Sequence, residues 1–178
     1  MAEAFSNKVA RASGIVTSTT GGAIGITTNL ITGISTVHVA VNDLVDTGNF
    51  ILGTKVTNIG VSSVTCDRDS TNTAAATNQS VKFLGVTTAY TSTGTKSILV
   101  GGTFANNTSN SVNLTVQVWD NSASTEVALA GKIPVPNGSS FVITDAGKTV
   151  LESSDEVRIY CDTANAIDAT LSILTGVS

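Results

Sequence analysis

The stretch Val112-Asn113-Leu114-Thr115-Val116-Gln117-Val118-Trp119 decides the fold class. Its aliphatic residues take every second position. In an extended chain Val112, Leu114, Val116 and Val118 line one face, and Asn113, Thr115, Gln117 and Trp119 line the other. That is a strand with one buried side, so Val116→Asp should unfold the domain while Asn113→Asp on the opposite face should be tolerated. The same period of two recurs in Val157, Ile159 and Cys161, and again in Ile167, Ala169, Leu171 and Ile173. Strands are expected near 97–104, 112–120, 125–132, 139–144, 156–161 and 167–174. Turn residues separate them at Asn106-Asn107-Thr108, Asp120-Asn121-Ser122, Pro136-Asn137-Gly138 and Asp145-Ala146-Gly147, the rhythm of an antiparallel sandwich. Pro134 and Pro136 lack amide donors, which suits an edge strand or a loop leaving the sheet.

Upstream the β pieces are shorter. Val37, Val39 and Val41 alternate with His38 and Ala40, and Lys55–Ile59 precedes the run Val61–Cys66. Asp46-Thr47-Gly48-Asn49 and Ile59-Gly60 carry residues that tolerate the left-handed backbone of tight turns. The polar segment Asp67–Ser80 reads as an exposed loop returning to a strand at Ser80–Phe83, and Gly21-Gly22 reads as a turn or flexible link. Residues 1–13 contain Phe5 and Val9 four apart among alanines. This arm is either a short helix on the domain or an extended segment that docks on a neighbour. No helical period of ten or more residues appears beyond it, which leaves a βαβ architecture without crossovers.

Only 12% of residues are charged and 4% aromatic against 41% hydrophobic, and the formal net charge is −4 with the basic residues scattered. Nucleic acid and anionic membranes are therefore not expected as partners. The N-terminus shows no long apolar segment of the signal-peptide kind and no run is long enough to span a bilayer, so synthesis in a cytosol is expected. Cys66 and Cys161 lie far apart without CxxC spacing and are expected to be buried free thiols.

Signals for chemistry are sparse. His38 is the single histidine and no nucleophile motif accompanies it, so a solvent-facing strand histidine is the simpler reading. Asp67-Arg68-Asp69 offers two carboxylates that could serve calcium together with Thr71 and Asn72; a hairpin end held by Asp-to-backbone bonds is the alternative. Gly21–Gly25 lacks the Lys-Ser/Thr and the helix start of a phosphate loop. No catalytic residue, cofactor or metal is expected. Trp119, on the face opposite the aliphatics, is a candidate interface anchor, and Phe5 and Val9 are candidates in the arm.

The opening MAEAFSN and the tail pattern PVPNGSSFVI…KTVLESSDEVRIYCDTANAIDATLSIL resemble small virion structural proteins of tailed bacteriophages, particularly those of marine cyanobacteria. The resemblance spans Met1–Asn7 and Thr87–Ser178, which makes residues 14–86 an inserted second β module. In physical terms, Leu151–Asp155 is a turn in which Asp155 accepts local backbone hydrogen bonds.

The expected fold is all-β: an antiparallel, jelly-roll-like sandwich over 87–178, a smaller β module over 14–86 and an N-terminal arm over 1–13. The expected function is that of a non-enzymatic virion protein, a capsid decoration or cement protein, with a neck or tail accessory role as the alternative. Other virion proteins and further copies of the chain are its expected partners. A receptor- or glycan-binding tip module is the rival of another class, weakened by a single Trp and two Tyr.

Overall fold

The structure, a computed structural model, describes residues 3–94 and 96–177. Met1, Ala2, Thr95 and Ser178, included in the expected arm and sandwich, lie outside them. The described residues form fourteen strands and no helix, so the chain is all-β. Two compact units divide it: Met1–Gly14 with Thr87–Ser178, and Ile15–Val86.

The first unit holds β1 (Ala4–Ser13), β8 (Thr87–Thr91), β9 (Lys96–Asn106), β10 (Val112–Asp120), β11 (Thr125–Val135), β12 (Ser140–Leu151), β13 (Glu156–Cys161) and β14 (Ile167–Val177). They make two four-stranded antiparallel sheets, sheet I in the order β1-β14-β9-β12 and sheet II in the order β11-β10-β13-β8. Only β10 and β11 are consecutive described strands paired as a hairpin; the other connections pass between sheets, which is the jelly-roll order. Between the sheets lies one core. Leu99, Phe104, Ala169, Leu171 and Ile173 face it from sheet I, and Val112, Leu114, Val116, Val157 and Ile159 from sheet II. Each Val, Leu, Ile or Phe side chain among them contributes about 1.5–3 kcal/mol by leaving water. Cys161 is buried there and forms no disulfide.

Two polar side chains tie the loops at the two ends of this sandwich. Asn106 Nδ2 donates to the carbonyls of Asn110, Val135 and Pro136 at 2.7, 2.9 and 3.2 Å, while its Oδ1 accepts from the Thr108 amide. Asp155 accepts from the amides of Asn121 and Glu152 at 2.9 and 2.8 Å. Both are buried, and backbone groups that would otherwise be orphaned find partners in them. Pro134 lies in β11, an edge strand, where its missing amide costs no ladder bond.

Several expectations are corrected. The N-terminal arm is neither a helix nor a segment reaching for a neighbour: residues 4–13 are β1, an edge strand paired with β14 of the same chain from Ala4↔Thr175 to Ser13↔Ile167, since a ladder on an existing strand pairs the backbone groups that face β14 without the costly nucleus of a short isolated helix. Asp145–Gly147 does not end a strand. β12 runs through it, and its register against β9 jumps between Thr144↔Gly101 and Thr149↔Leu99, an irregularity of bulge type. On the other face of β10, Asn113 Nδ2 donates to Asp162 Oδ2 at 2.7 Å, so Asn113→Asp would set two carboxylates against each other.

The second unit holds β2 (Ile15–Ile24), β3 (Leu30–Thr32), β4 (Leu44–Asp46), β5 (Val56–Ile59), β6 (Ser63–Cys66) and β7 (Ala76–Gly85), in the order β4-β7-β2-β3-β6-β5. The two end strands join. Leu44 bridges Lys55, the Val45 amide donates to Thr54 O at 2.8 Å, and the Val56 amide donates to Asp43 O at 3.0 Å. The sheet thus closes into a small barrel filled by side chains such as Ile31, Val56, Val64, Val81 and Phe83. Burial, with a smaller contribution from the charge of Asp67, pushes the Cys66 thiol up to about 12.

Here too the chain departs from simple alternation. Residues 37–41 form turns, not a strand, with His38 and Asn42 at φ of 65° and 74°, a backbone that breaks pleating. Gly21 and Gly22 are neither turn nor link: they form a bulge within β2, where Gly21 has a φ of 86° and a Cβ on Gly22 would press on Gln79 O and Ile34 at 3.3 Å. β7 begins at Ala76, inside the expected loop.

Candidate docking surface

Antiparallel register places directly opposed residues on the same side of a sheet, so the outer face of sheet I can be read row by row. One row is Phe5, Leu174, Ile98 and Val150; the next is Asn7, Ser172, Gly101 and Thr144; the third is Val9, Thr170, Thr103 and Val142. These three rows contain no charged side chain. Phe5 and Val9 are 67% and 73% exposed, and Val150 and Val142 are 51% and 47% exposed. Among the described side chains charge lies beyond the rows, with the Lys96–Glu152 ion pair at 3.4 Å past one end and exposed Arg11 and Asp168 past the other, where Asp168 Oδ1 accepts from the Ala12 amide at 2.7 Å. The middle of the face is recessed at Gly101, beside Val100, Thr103, Val142, Thr144 and Thr170. A Cβ at Gly101 would meet Ile143 O at 2.9 Å.

Phe5 and Val9 thus stand on this exposed face, while Trp119 lies elsewhere, on the outer face of sheet II. Trp119 is opposed by Glu126 on β11 and Glu156 on β13. Arg158 sits with its guanidinium carbon 4.5 Å from the centroid of the Trp119 ring. Its Nε donates to Glu156 at 2.7 Å and its Nη1 pairs with Glu126, whose side chain is 2% exposed. The Tyr160 hydroxyl reaches both Glu126 oxygens at 3.4 Å. Burial works to lower Arg158, but hydrogen bonds and charge from the two glutamates outweigh it and leave the group raised. Burial also holds the Tyr160 phenol above its usual range. Trp119 is therefore stacked and half-buried, part of an ion network within one sheet.

His38 is exposed in its turn, where its carbonyl accepts from Thr17 Oγ1 at 3.1 Å. Asp67 Oδ1 accepts the Lys55 amide at 2.8 Å and its Oδ2 is 3.7 Å from Arg68 Nε, the hairpin-end arrangement. Among the described residues no group of three or more His, Cys, Asp and Glu is placed to hold a metal. No described helix is long and apolar enough to cross a membrane.

One end of the barrel gathers three loops, 25–29, 47–55 and 67–75. The last stitches the others together: Ser70 Oγ donates to Gly25 O at 2.8 Å, the Thr71 amide to Asn49 O at 2.9 Å, Asn72 Nδ2 to Ile24 O at 3.4 Å and Arg68 Nη1 to Leu52 O at 3.3 Å. Ile26, Ile51 and Leu52 are exposed on this end.

Leu174, Ile98, Val142 and Val150 escaped the sequence reading as interface residues. The alternation of β14 marks Thr170, Ser172 and Leu174 as outward, but which strands flank it is set by long-range pairing. Geometry defines the protein as a jelly roll carrying a small barrel between its first two strands. Comparison with protein-family models, curated proteins and solved structures finds no match to the chain.

Proposed function

We propose that the chain is a non-enzymatic structural protein of a tailed-phage particle, attached through the outer face of sheet I. The observation that carries this reading is that face. Three rows without charge, with Phe5 and Val9 largely exposed, suit a surface that is covered when the protein works. The resemblance of the N-terminus and the C-terminal tail to virion proteins supports the same reading. So does the occupation of the conspicuous carboxylates: Glu126 and Glu156 grip Arg158, and Asp155 and Asp162 hold backbone amides or Asn113.

Within the particle the role is that of a capsid decoration or cement protein, present in several copies beside other virion proteins and assembled in the host cytoplasm. A neck or tail position is the alternative. A jelly roll by itself serves many functions, so the fold adds no weight to either. The cross-linked loop end of the barrel favours one further reading, a receptor-binding tip; its exposed large apolar side chains, Ile26, Ile51 and Leu52, are aliphatic and not aromatic, which points to a protein receptor in preference to a glycan.

Cryo-electron microscopy of purified particles, with antibody against the recombinant chain, tests the proposal. Density matching the jelly roll at symmetry-related sites is expected. Absence of the chain from intact particles, when it is abundant in the infected cell, would overturn it.

A further inference from the structure

We infer that the free edge of β1 pairs with β1 of a second copy of this chain, antiparallel about a two-fold axis at Asn7, so that sheet I continues from one copy into the other. The inference goes beyond the proposed function and does not rest on it. β1 is the end strand of sheet I, and its ladder to β14 is regular from Ala4↔Thr175 to Ala10↔Ala169. Two contacts fix which backbone groups that ladder uses. Thr175 Oγ1 donates to Ala4 O at 3.2 Å, so the Ala4 carbonyl turns toward β14. The Asn107 amide donates to Ala166 O at 2.9 Å, which turns the next amide, that of Ile167, the opposite way, toward β1. Alternation along both strands then gives β14 the N–H and C=O groups of Ala4, Ser6, Lys8 and Ala10, and leaves those of Phe5, Asn7 and Val9 pointing off the sheet. Such an edge is a template for another strand.

The side chains select the strand that fits. Glu3, Phe5, Asn7, Val9 and Arg11 are exposed and, at alternate positions, share one face; Arg11 comes just before Ala12, where φ is 53° and the regular ladder ends. With the axis at Asn7, each meets its complement in the other copy. Asn7 opposes Asn7, Phe5 opposes Val9, and Glu3 opposes Arg11 at both ends. The Asn7 and Phe5–Val9 pairs each exchange two backbone hydrogen bonds, amide to carbonyl in both directions. Moving the axis to Ser6 sets Glu3 against Val9, and moving it to Lys8 sets Phe5 against Arg11. Only the axis at Asn7 joins opposite charges and apolar groups together, the self-complementarity an isologous interface needs. On the other face Lys8 is the one obstacle, since an edge lysine ordinarily discourages pairing. Here it opposes Ser6 of the other copy, whose Oγ is buried with no hydrogen-bond partner among the described residues, and its ammonium supplies a donor.

Sedimentation equilibrium of the full chain at low salt, between about 10 μM and about 1 mM, tests this. Wild type associates to a dimer across that range. Asn7→Pro removes an amide that points away from β14 and sets a ring in the gap, so this variant stays monomeric while its melting midpoint is unchanged. Glu3→Arg sets like charges against each other at both ends of the ladder, as does Arg11→Glu, and each weakens dimerisation about tenfold. An equimolar mixture of those two variants restores opposite charges at both ends, and association returns to within about threefold of wild type. Both positions are exposed, and an unchanged melting midpoint verifies folding. A wild-type chain monomeric at about 1 mM, an Asn7→Pro chain that pairs as wild type does, or a mixture that associates no better than either variant alone would overturn the inference.

Discussion

Arg158 lies with its guanidinium carbon 4.5 Å from the centroid of the Trp119 ring, and the two residues that oppose Trp119 across the strands, Glu126 and Glu156, are the carboxylates Arg158 holds. One cation thus neutralises two acids and covers an indole. Arg158→Met should cost about 3–5 kcal/mol, because Glu126 is left charged and nearly out of water. Adding Glu126→Gln should recover part of that loss. Urea unfolding of the single and double variants checks both, and a near-neutral single variant would show that the network is solvated.

The first unit should fold without the second. Gly14 N lies 3.3 Å from Thr87 Oγ1, so the chain can be closed there by a short linker once residues 15–86 are removed. That protein should melt cooperatively with β circular dichroism. Residues 87–178 alone lack β1 and leave β14 unpaired on one side, so they should be markedly less stable or aggregate. Equal stability of the two would show that β1 contributes little to sheet I.

Val116→Asp and Asn113→Asp should both destabilise, by different routes. At Val116 a carboxylate enters the core without a partner, and the domain should not fold. At Asn113 the new acid confronts Asp162, and the loss, about 1–3 kcal/mol, should shrink as pH falls and a carboxyl takes up a proton. Melting curves at pH 4 and pH 7 separate the two.

Asp43 makes the barrel more stable on the acid side. Burial raises its carboxyl above the ordinary 3.8, opposed by the Ala40 amide it accepts. A raised folded-state value means the stabilising contribution is full below 3.8 and is lost as pH rises through the folded-state value. Asp43→Asn keeps an acceptor for Ala40 and does not ionise. Its melting midpoint relative to wild type should therefore rise between pH 3 and pH 6; a flat difference would mean that Asp43 titrates alike in both states.

The jelly roll was legible where strands are long and one-sided. β10, β13 and β14 announce themselves by strict alternation, since one face meets the core and the other does not. β1 was not legible, because Phe5 and Val9 are four apart, a spacing that fits one helix face and one strand face equally. The barrel was legible only as short β pieces. Its closure depends on the Leu44–Lys55 bridge and on positive φ at His38 and Asn42, which local alternation does not encode. Of the three interface candidates, Phe5 and Val9 stand exposed on one face, while Trp119 turned out to be occupied by Arg158, a contact that needs strands distant in sequence to pair.

The central proposal is that the face of sheet I bearing Phe5 and Val9 attaches the protein. Its most direct test is incorporation of a Val9→Lys chain, mixed in equal amount with wild type, into particles assembled without the native protein, read by mass spectrometry of the purified particles. Val9 is exposed, so the melting midpoint should not move. Incorporation of the variant should drop to about a tenth of wild type or less, since each buried copy would carry a desolvated ammonium. Equal incorporation of the two chains would contradict the account.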